Sequence, residues 1–211
     1  NVFPYAYEVG AAFLGGRLDR LGGLAGRLGV PSEKAVTLIE NHDLERRPAA
    51  ESLVPLLKQP ELHRLAQIFL LAYPYGYPQL YSGYRFSSYD QGPPLGAGGK
   101  VAGPGRGCGG AWTCAHRSGE VIAMVRFRNL TDKQFHATDL VFPRPDVISF
   151  GRGRLGHVVI NGGPGPVGLR LPSQLRPGRY GNLLGSGEAE VEKDGTLTLQ
   201  VGARDAFVIL P

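Results

Sequence analysis

The densest chemistry in the chain lies in Glu40-Asn41-His42-Asp43. A neutral imidazole beside an ionised carboxylate can hydrogen-bond sugar hydroxyls or move a proton. The same two side chains can equally cap a turn and satisfy a local hydrogen bond, and the triplet alone does not choose. Cys108 and Cys114 bracket Gly-Gly-Ala-Trp-Thr. Zinc sites use more ligands at tighter spacing and a redox pair reads Cys-x-x-Cys, so a disulfide across a flexible loop or two free thiols remain. The disulfide would contribute roughly 2 kcal/mol in the chain-entropy model, and it would place the chain in an oxidising compartment. The five histidines stand far apart, so no metal site is expected.

Five tyrosines, Tyr73, Tyr75, Tyr77, Tyr81 and Tyr84, fall within twelve residues. Aromatic faces stack on sugar rings, but most of this group is expected to serve as core and turn aromatics with one polar end. Gly151-Arg152-Gly153-Arg154-Leu155-Gly156 matches the dinucleotide fingerprint by letter. That motif needs a strand before it and a helix after it; strands flank it on both sides here, so it reads as a hairpin turn. No serine nucleophile elbow, phosphate-binding loop or Cys-His couple is present.

The elements that must position these groups follow from periodicity. Residues 10–28 carry apolar side chains at helical spacing, interrupted by glycines. Residues 35–39 form a short, non-alternating, partly β-branched run, the pattern of a strand buried on both faces in a parallel sheet. It ends in the four polar residues above, and in α/β barrels the carboxyl ends of the strands carry the chemistry. Helices are expected at 60–72 and 118–128, with a short strand at 79–81 and a Gly-rich loop at 92–111. From residue 133 the style changes to strands at 147–150, 157–160, 189–192, 196–201 and 206–210, with Lys193-Asp194-Gly195 as a hairpin signal. The expected architecture is an α/β part at 1–132 and an antiparallel β module at 133–211.

Composition narrows the class further. The chain has 211 residues, 42% hydrophobic and 19% charged, which argues against disorder and coiled coil. Gly and Pro number 32 and 17, which suits a turn-rich fold. No window is long and apolar enough for a membrane helix. The net charge is +5, but the arginines are scattered and no nucleic-acid module accompanies them. The first residue is Asn1 rather than Met, so the chain is expected to be a piece of a longer one, with room for a signal peptide upstream.

Taken in order, several segments resemble the α-amylases of glycoside hydrolase family 13, in their animal-like and Streptomyces-like form. Residues 36–43 resemble the region ending in Asn-His-Asp at the end of the seventh barrel strand. Leu71-Ala72-Tyr73-Pro74-Tyr75-Gly76 resembles the Leu-Ala-x-Pro-Tyr-Gly segment. The Cys108–Cys114 spacing with His116-Arg117, the run Met124 to Asn129, and Phe150-Gly151-Arg152-Gly153 match the disulfide, the last barrel helix and the start of the C-terminal β domain. The resemblance implies the C-terminal part of a (β/α)8 TIM barrel followed by an antiparallel β-sandwich of Greek-key type. It also implies endo-hydrolysis of α-1,4 bonds in starch or glycogen with retention, in a secreted, calcium-binding, monomeric enzyme.

Retention needs two carboxyl groups roughly 5–5.5 Å apart. In this family they lie on the fourth and fifth strands, so the resemblance places both, and the calcium ligands, upstream of Asn1. Gly15 to Asp19 echoes the nucleophile pattern. Asp19 falls in a helical segment, however, and is followed by Arg20-Leu21-Gly22, so it is rejected as nucleophile. What the resemblance assigns here is Asp43 as the third catalytic carboxylate, holding sugar hydroxyls, with His42 as its substrate-binding companion. Asn41 falls at an anion-site position, but Gln79 replaces the Arg of chloride-binding members, so an essential chloride is not implied. Glu40 replaces an Asp, Arg47 stands where a Gly-rich mobile loop begins, and Tyr180-Gly181 lacks a Cys found in relatives. A non-catalytic glucan-binding relative is therefore the alternative.

Overall fold

The computed structural model describes residues 1–47, 51–106 and 108–211. Its helices are α1 (Phe3–Leu14), α2 (Leu24–Leu28), α3 (Pro60–Ala72) and α4 (Gly119–Leu130). The single helix expected over 10–28 is three pieces: α1, a 3-10 turn at Leu18–Leu21, and α2. Gly15 closes α1 by donating to Ala11, and Gly16 and Gly23 adopt φ of +60° and +70°, which a continuing helix cannot contain. α3 begins at Pro60, whose missing N–H costs nothing in a first turn. Ser118 caps α4 by accepting from the Val121 amide.

Two short strands, β1 (Val36–Thr37) and β2 (Tyr77–Pro78), pair in parallel. β2 lies two residues before the expected 79–81. Pro78 cannot donate, so the ladder is made by Tyr77 N to Ala35 O and Gln79 N to Thr37 O, both 2.7 Å. β1 is shorter than the 35–39 run because these are the residues that β2 reaches. Gly76 turns the chain into β2 at φ +68°, and a Cβ there would meet Thr37 Cγ2 at 2.6 Å.

The rest of the chain is a sandwich of two four-stranded antiparallel sheets. The first has the order β10 (Asp205–Ile209), β5 (His157–Asn161), β4 (Val147–Gly151), β3 (Thr138–Arg144). The second has β6 (Val167–Pro172), β9 (Thr196–Val201), β8 (Glu188–Val191), β7 (Gly178–Gly181), a Greek-key order in which β7, β8 and β9 follow as neighbours and a long connection from β6 lets β9 return beside it. Three strands were not expected from sequence: β3 is bulged and carries Pro143, β6 carries Gly168 and Pro172, and β7 is bounded by glycines. The 151–156 hexapeptide lies between β4 and β5, as a hairpin turn should. Lys193-Asp194-Gly195 turns β8 into β9, with Gly195 at φ +85° and the Asp194 carboxylate accepting from Thr196 N.

The first sheet is covered twice. Val147, Val159, Phe207 and Ile209 face the second sheet, whereas Ile148, Phe150, Val158, Ile160 and Val208 face the helices. That is why β4 and β5 are buried along their whole length and do not alternate. On the helical side Phe150 meets Phe69 of α3 and Tyr73 edge-on, at 6.1 and 5.4 Å between centroids. Beside them Arg152 is 1% exposed. Its guanidinium donates to Ala72 O (2.7 Å) at the end of α3, to Thr131 O (2.9 Å) just past α4, and to Gln134 O (3.1 Å). Burial and the nearby Arg128 pull its pKa down to about 10, so it is still charged at neutral pH. Arg152→Leu should therefore leave the Ala72 and Gln134 carbonyls without a donor, take from Thr131 O one of its two, and cost about 3 kcal/mol. Urea unfolding measures this, and a loss below about 1 kcal/mol would mean that water takes over these carbonyls.

Candidate functional site

The site begins where β1 ends. Asn41 is buried, and its side-chain Oδ1 accepts from the backbone N–H of Asp43 (3.1 Å) and of Leu44 (2.8 Å). This local bond bends the chain sharply into a 3-10 turn at Leu44–Arg46 and fixes the two residues between. His42 and Asp43 are thereby turned outward, with side chains 76% and 60% exposed and Nε2 to Oδ1 at 3.6 Å. Asp43 precedes the 3-10 turn yet makes no side-chain cap, so the capping role belongs to Asn41 and both Asp43 oxygens are open to a ligand. Both side chains stand on an open face.

Behind this face the turn is held by groups that sequence patterns do not reveal. Glu45 is 3% exposed and accepts from the Tyr81 hydroxyl at 3.2 Å, with Arg46 Nε 3.6 Å away. Burial raises its pKa, while Tyr81 and Arg46 oppose the rise. Gly83 passes so close that a Cβ would lie 2.5 Å from Glu45 Oε2. Arg46 reaches over Phe86, 4.3 Å from the ring centroid, and donates to the Tyr84 hydroxyl (2.8 Å), to Tyr89 O and to Gln91 O (3.1 Å). Spacing gave no sign of these contacts, because the partners lie about forty residues downstream; the adjacency of Glu45 and Arg46 to Asp43 was the available hint.

The tyrosine cluster divides accordingly. Tyr75 is core, stacked on Tyr5 and donating to Val30 O at 2.8 Å, and Tyr73 packs on Phe69. Tyr81 and Tyr84 face Glu45 and Arg46, and Tyr77 is 77% exposed. Gln79 is exposed beyond β2, tied by its backbone to Thr37. Cys108 and Cys114 form a disulfide with Cα atoms 6.1 Å apart, which settles the choice against free thiols. Its loop holds Trp112 edge-on to Tyr84, and Trp112 Nε1 donates to Ala102 O at 2.7 Å. The Gly-rich loop includes Gly107, and the departure at Arg47 runs into Pro48, Ala49 and Ala50; these four lie outside the described residues. Asp19 lies in the 3-10 turn after α1, paired with Arg17 at 2.7 Å.

Among the described residues no group of three or more His, Cys, Asp and Glu side chains is gathered as a metal site requires. Among the described residues no helix is long and apolar enough to cross a membrane.

No family model matches the chain. Sequence and fold nevertheless place it in the α-amylase family of glycoside hydrolases, as the C-terminal region. It is 30% identical to an alpha-amylase of Tenebrio molitor over 96% of this chain and 48% of that protein. It is 32% identical to an alpha-amylase-related protein of Drosophila ercepeae over 84% of this chain and 36% of that one. The chain thus spans half or less of the curated relatives it matches. The structure of alpha-amylase I from Eisenia fetida superposes on 99% of this chain and 48% of its own, at a TM-score of 0.87 and 24% identity. A mutant of that enzyme is known as a maltohexaose complex.

The turn itself is testable. Asn41→Ala removes one acceptor from two amides and should lower stability by about 1 kcal/mol, whereas Asn41→Asp, which keeps the acceptor, should cost less. The midpoint of thermal unfolding distinguishes them, and equal midpoints for Ala and wild type would sink this account.

Proposed function

We propose that the protein whose C-terminal region this is hydrolyses internal α-1,4-glucosidic bonds of starch and glycogen with retention of configuration. The reading rests on one observation above all: a carboxylate, Asp43, with no side-chain partner but His42 among the described residues, held outward beyond the carboxyl end of a strand in a parallel pair. In the proposed site Asp43 accepts hydrogen bonds from two hydroxyls of the sugar at the scissile bond, and His42 binds the same ring. Such bonds tighten as the ring distorts towards an oxocarbenium-like transition state, so they favour turnover over mere binding. A negative charge there also raises the pKa of a neighbouring carboxylic acid and keeps it protonated for its role as acid. Here β1 and β2 with α1, α3 and α4 form the closing segment of a (β/α)8 barrel, with a boundary to the sandwich near residue 133. The nucleophile, the acid/base group and any calcium ligands belong to the rest of the protein. The disulfide supports a secreted enzyme, which we take to be monomeric.

The second reading is a glucan-binding relative without turnover. Glu40, Arg47 and Gln79 depart from the family pattern, and one of the matched proteins is described as amylase-related rather than as an amylase. In the full-length protein, Asp43→Asn should lower kcat on soluble starch by about 10²-fold or more while leaving unfolding unchanged. Undiminished turnover in Asp43→Asn would remove Asp43 from the reaction, and a wild type with no turnover would favour the second reading. This chain by itself should release no reducing sugar from soluble starch, since it lacks the two reacting carboxyl groups; measurable release would overturn that.

A further inference from the structure

Directly before the Asn41 turn, Glu40 points away from the open face into the interior, where it is 7% exposed. Its Oε1 accepts from Leu56 N at 2.9 Å. Its Oε2 lies 3.9 Å from Nε2 of His63, on the first turns of α3. His63 is 1% exposed, and its Nδ1 is 2.8 Å from Val54 O. A carbonyl only accepts, so Nδ1 must carry the proton of the neutral ring, and Nε2 is left as a bare acceptor. Among the described residues no other group satisfies that Nε2, and a buried polar atom without a partner is costly. A proton on Oε2 would supply the donor after the two groups close up by about 1 Å. The carboxyl group would then join three places at once: the end of β1, the segment 54–56, and α3.

We propose that Glu40 and His63 are a positioning pair that shares one proton and holds the Asn41–Asp43 turn against α3. This inference rests on the sugar-binding reading of that turn. The electrostatics agree with the geometry. Burial raises the Glu40 carboxyl to about 7, and burial lowers the His63 ring to about 4, so both favour the neutral forms in which one can donate to the other. Around Glu40, the carboxylate of Glu45 adds to the rise and Lys58 opposes it, with the Tyr81 hydroxyl also near; on the His63 side only the Val54 carbonyl acts appreciably. The signs run in opposite directions. The raised carboxyl gives stability that is full below its unfolded value and lost as pH rises through about 7. The lowered imidazole gives stability that is full above its unfolded value and lost as pH falls through about 4. Between those limits the pair holds its one proton; above them Glu40 ionises, its hydrogen bond to Nε2 is lost, and the turn loosens.

The test uses the full-length protein and amide hydrogen exchange, corrected for intrinsic rates. In the wild type, protection of residues 53–63 should fall about tenfold or more between pH 6 and pH 8.5. In Glu40→Gln, whose amide can accept from Leu56 N and donate to Nε2 at any pH, that fall should vanish. No fall in the wild type, or the same fall in Glu40→Gln, overturns the pair. Kinetics on soluble starch at pH 6 supply the second arm. Glu40→Leu should reduce kcat/KM about tenfold and Glu40→Gln should restore most of it; a Glu40→Leu enzyme equal to wild type also overturns the proposal. The Asp43→Asn variant separates the two ideas. If it retains turnover, the catalytic reading fails and exchange still decides the pair; if it loses turnover while the exchange profiles show no pH dependence, the reading stands and the pair falls.

Discussion

A guanidinium almost closed off from solvent ties the helices to the first sheet. Arg152 leaves the β4–β5 hairpin and meets carbonyls at the end of α3 and beyond α4. A buried cation of this kind is tolerable only while each of those carbonyls stays in place. The aromatic contacts of Phe150 with Phe69 and Tyr73 sit directly beside it and have the same requirement. Polar and apolar interactions therefore fix one docking of helices on sheet, and β1 and β2 inherit their position from it through α3 and the Tyr73–Gly76 connection. Arg128 strengthens that connection by donating to Tyr73 O and Gly76 O, both at 2.7 Å.

The candidate site uses the same economy on a smaller scale. One side chain, Asn41, shapes the turn; one carboxylate, Glu40, faces inward; the next, Asp43, faces out. Consecutive acidic residues with opposite environments acquire opposite duties, since burial suppresses charge and exposure permits it. The disulfide loop and the Arg46 fan then hold residues 83–91 against the back of the turn, so its outward face owes its shape to contacts some forty residues away.

Much of this was legible in the residues. α3 and α4 announced themselves through Pro60 and Ser118 at their starts, and the 193–195 turn through its Asp-Gly pair, because these signals act within a few residues. The polar end of the 35–39 run was legible, but its turn was not: the residues offered Asp43 as the possible cap, and the structure gives that role to Asn41. The break in the first helix was misread because Gly15-Gly16 can sit inside a helix at modest cost, and only the packing of Leu18 and Leu21 decides that it does not. β3 and β7 carry Pro, Gly or a bulge and lack alternation, so no periodic rule detects them; β6 does alternate at Val167, Leu169 and Leu171, but Gly168 and Pro172 weaken it as a strand signal. Apart from the adjacency of Glu45 and Arg46 to Asp43, nothing marked Glu45, Arg46 or His63: their roles arise from neighbours brought by tertiary folding, and their own types and spacings are ordinary.

Pro78 has a quieter effect. The donors on either side of it, Tyr77 and Gln79, both turn towards β1, so the proline faces the far edge of the ribbon. An outer margin that lacks its N–H is a poor template for a strand from another molecule. On the other margin, Val36 O is already taken by Val2 N at 2.8 Å. In this two-stranded pair Pro78 thus removes one donor from the outer margin of β2 and Val2 occupies one acceptor on that of β1, so any further strand docks with those two positions unused.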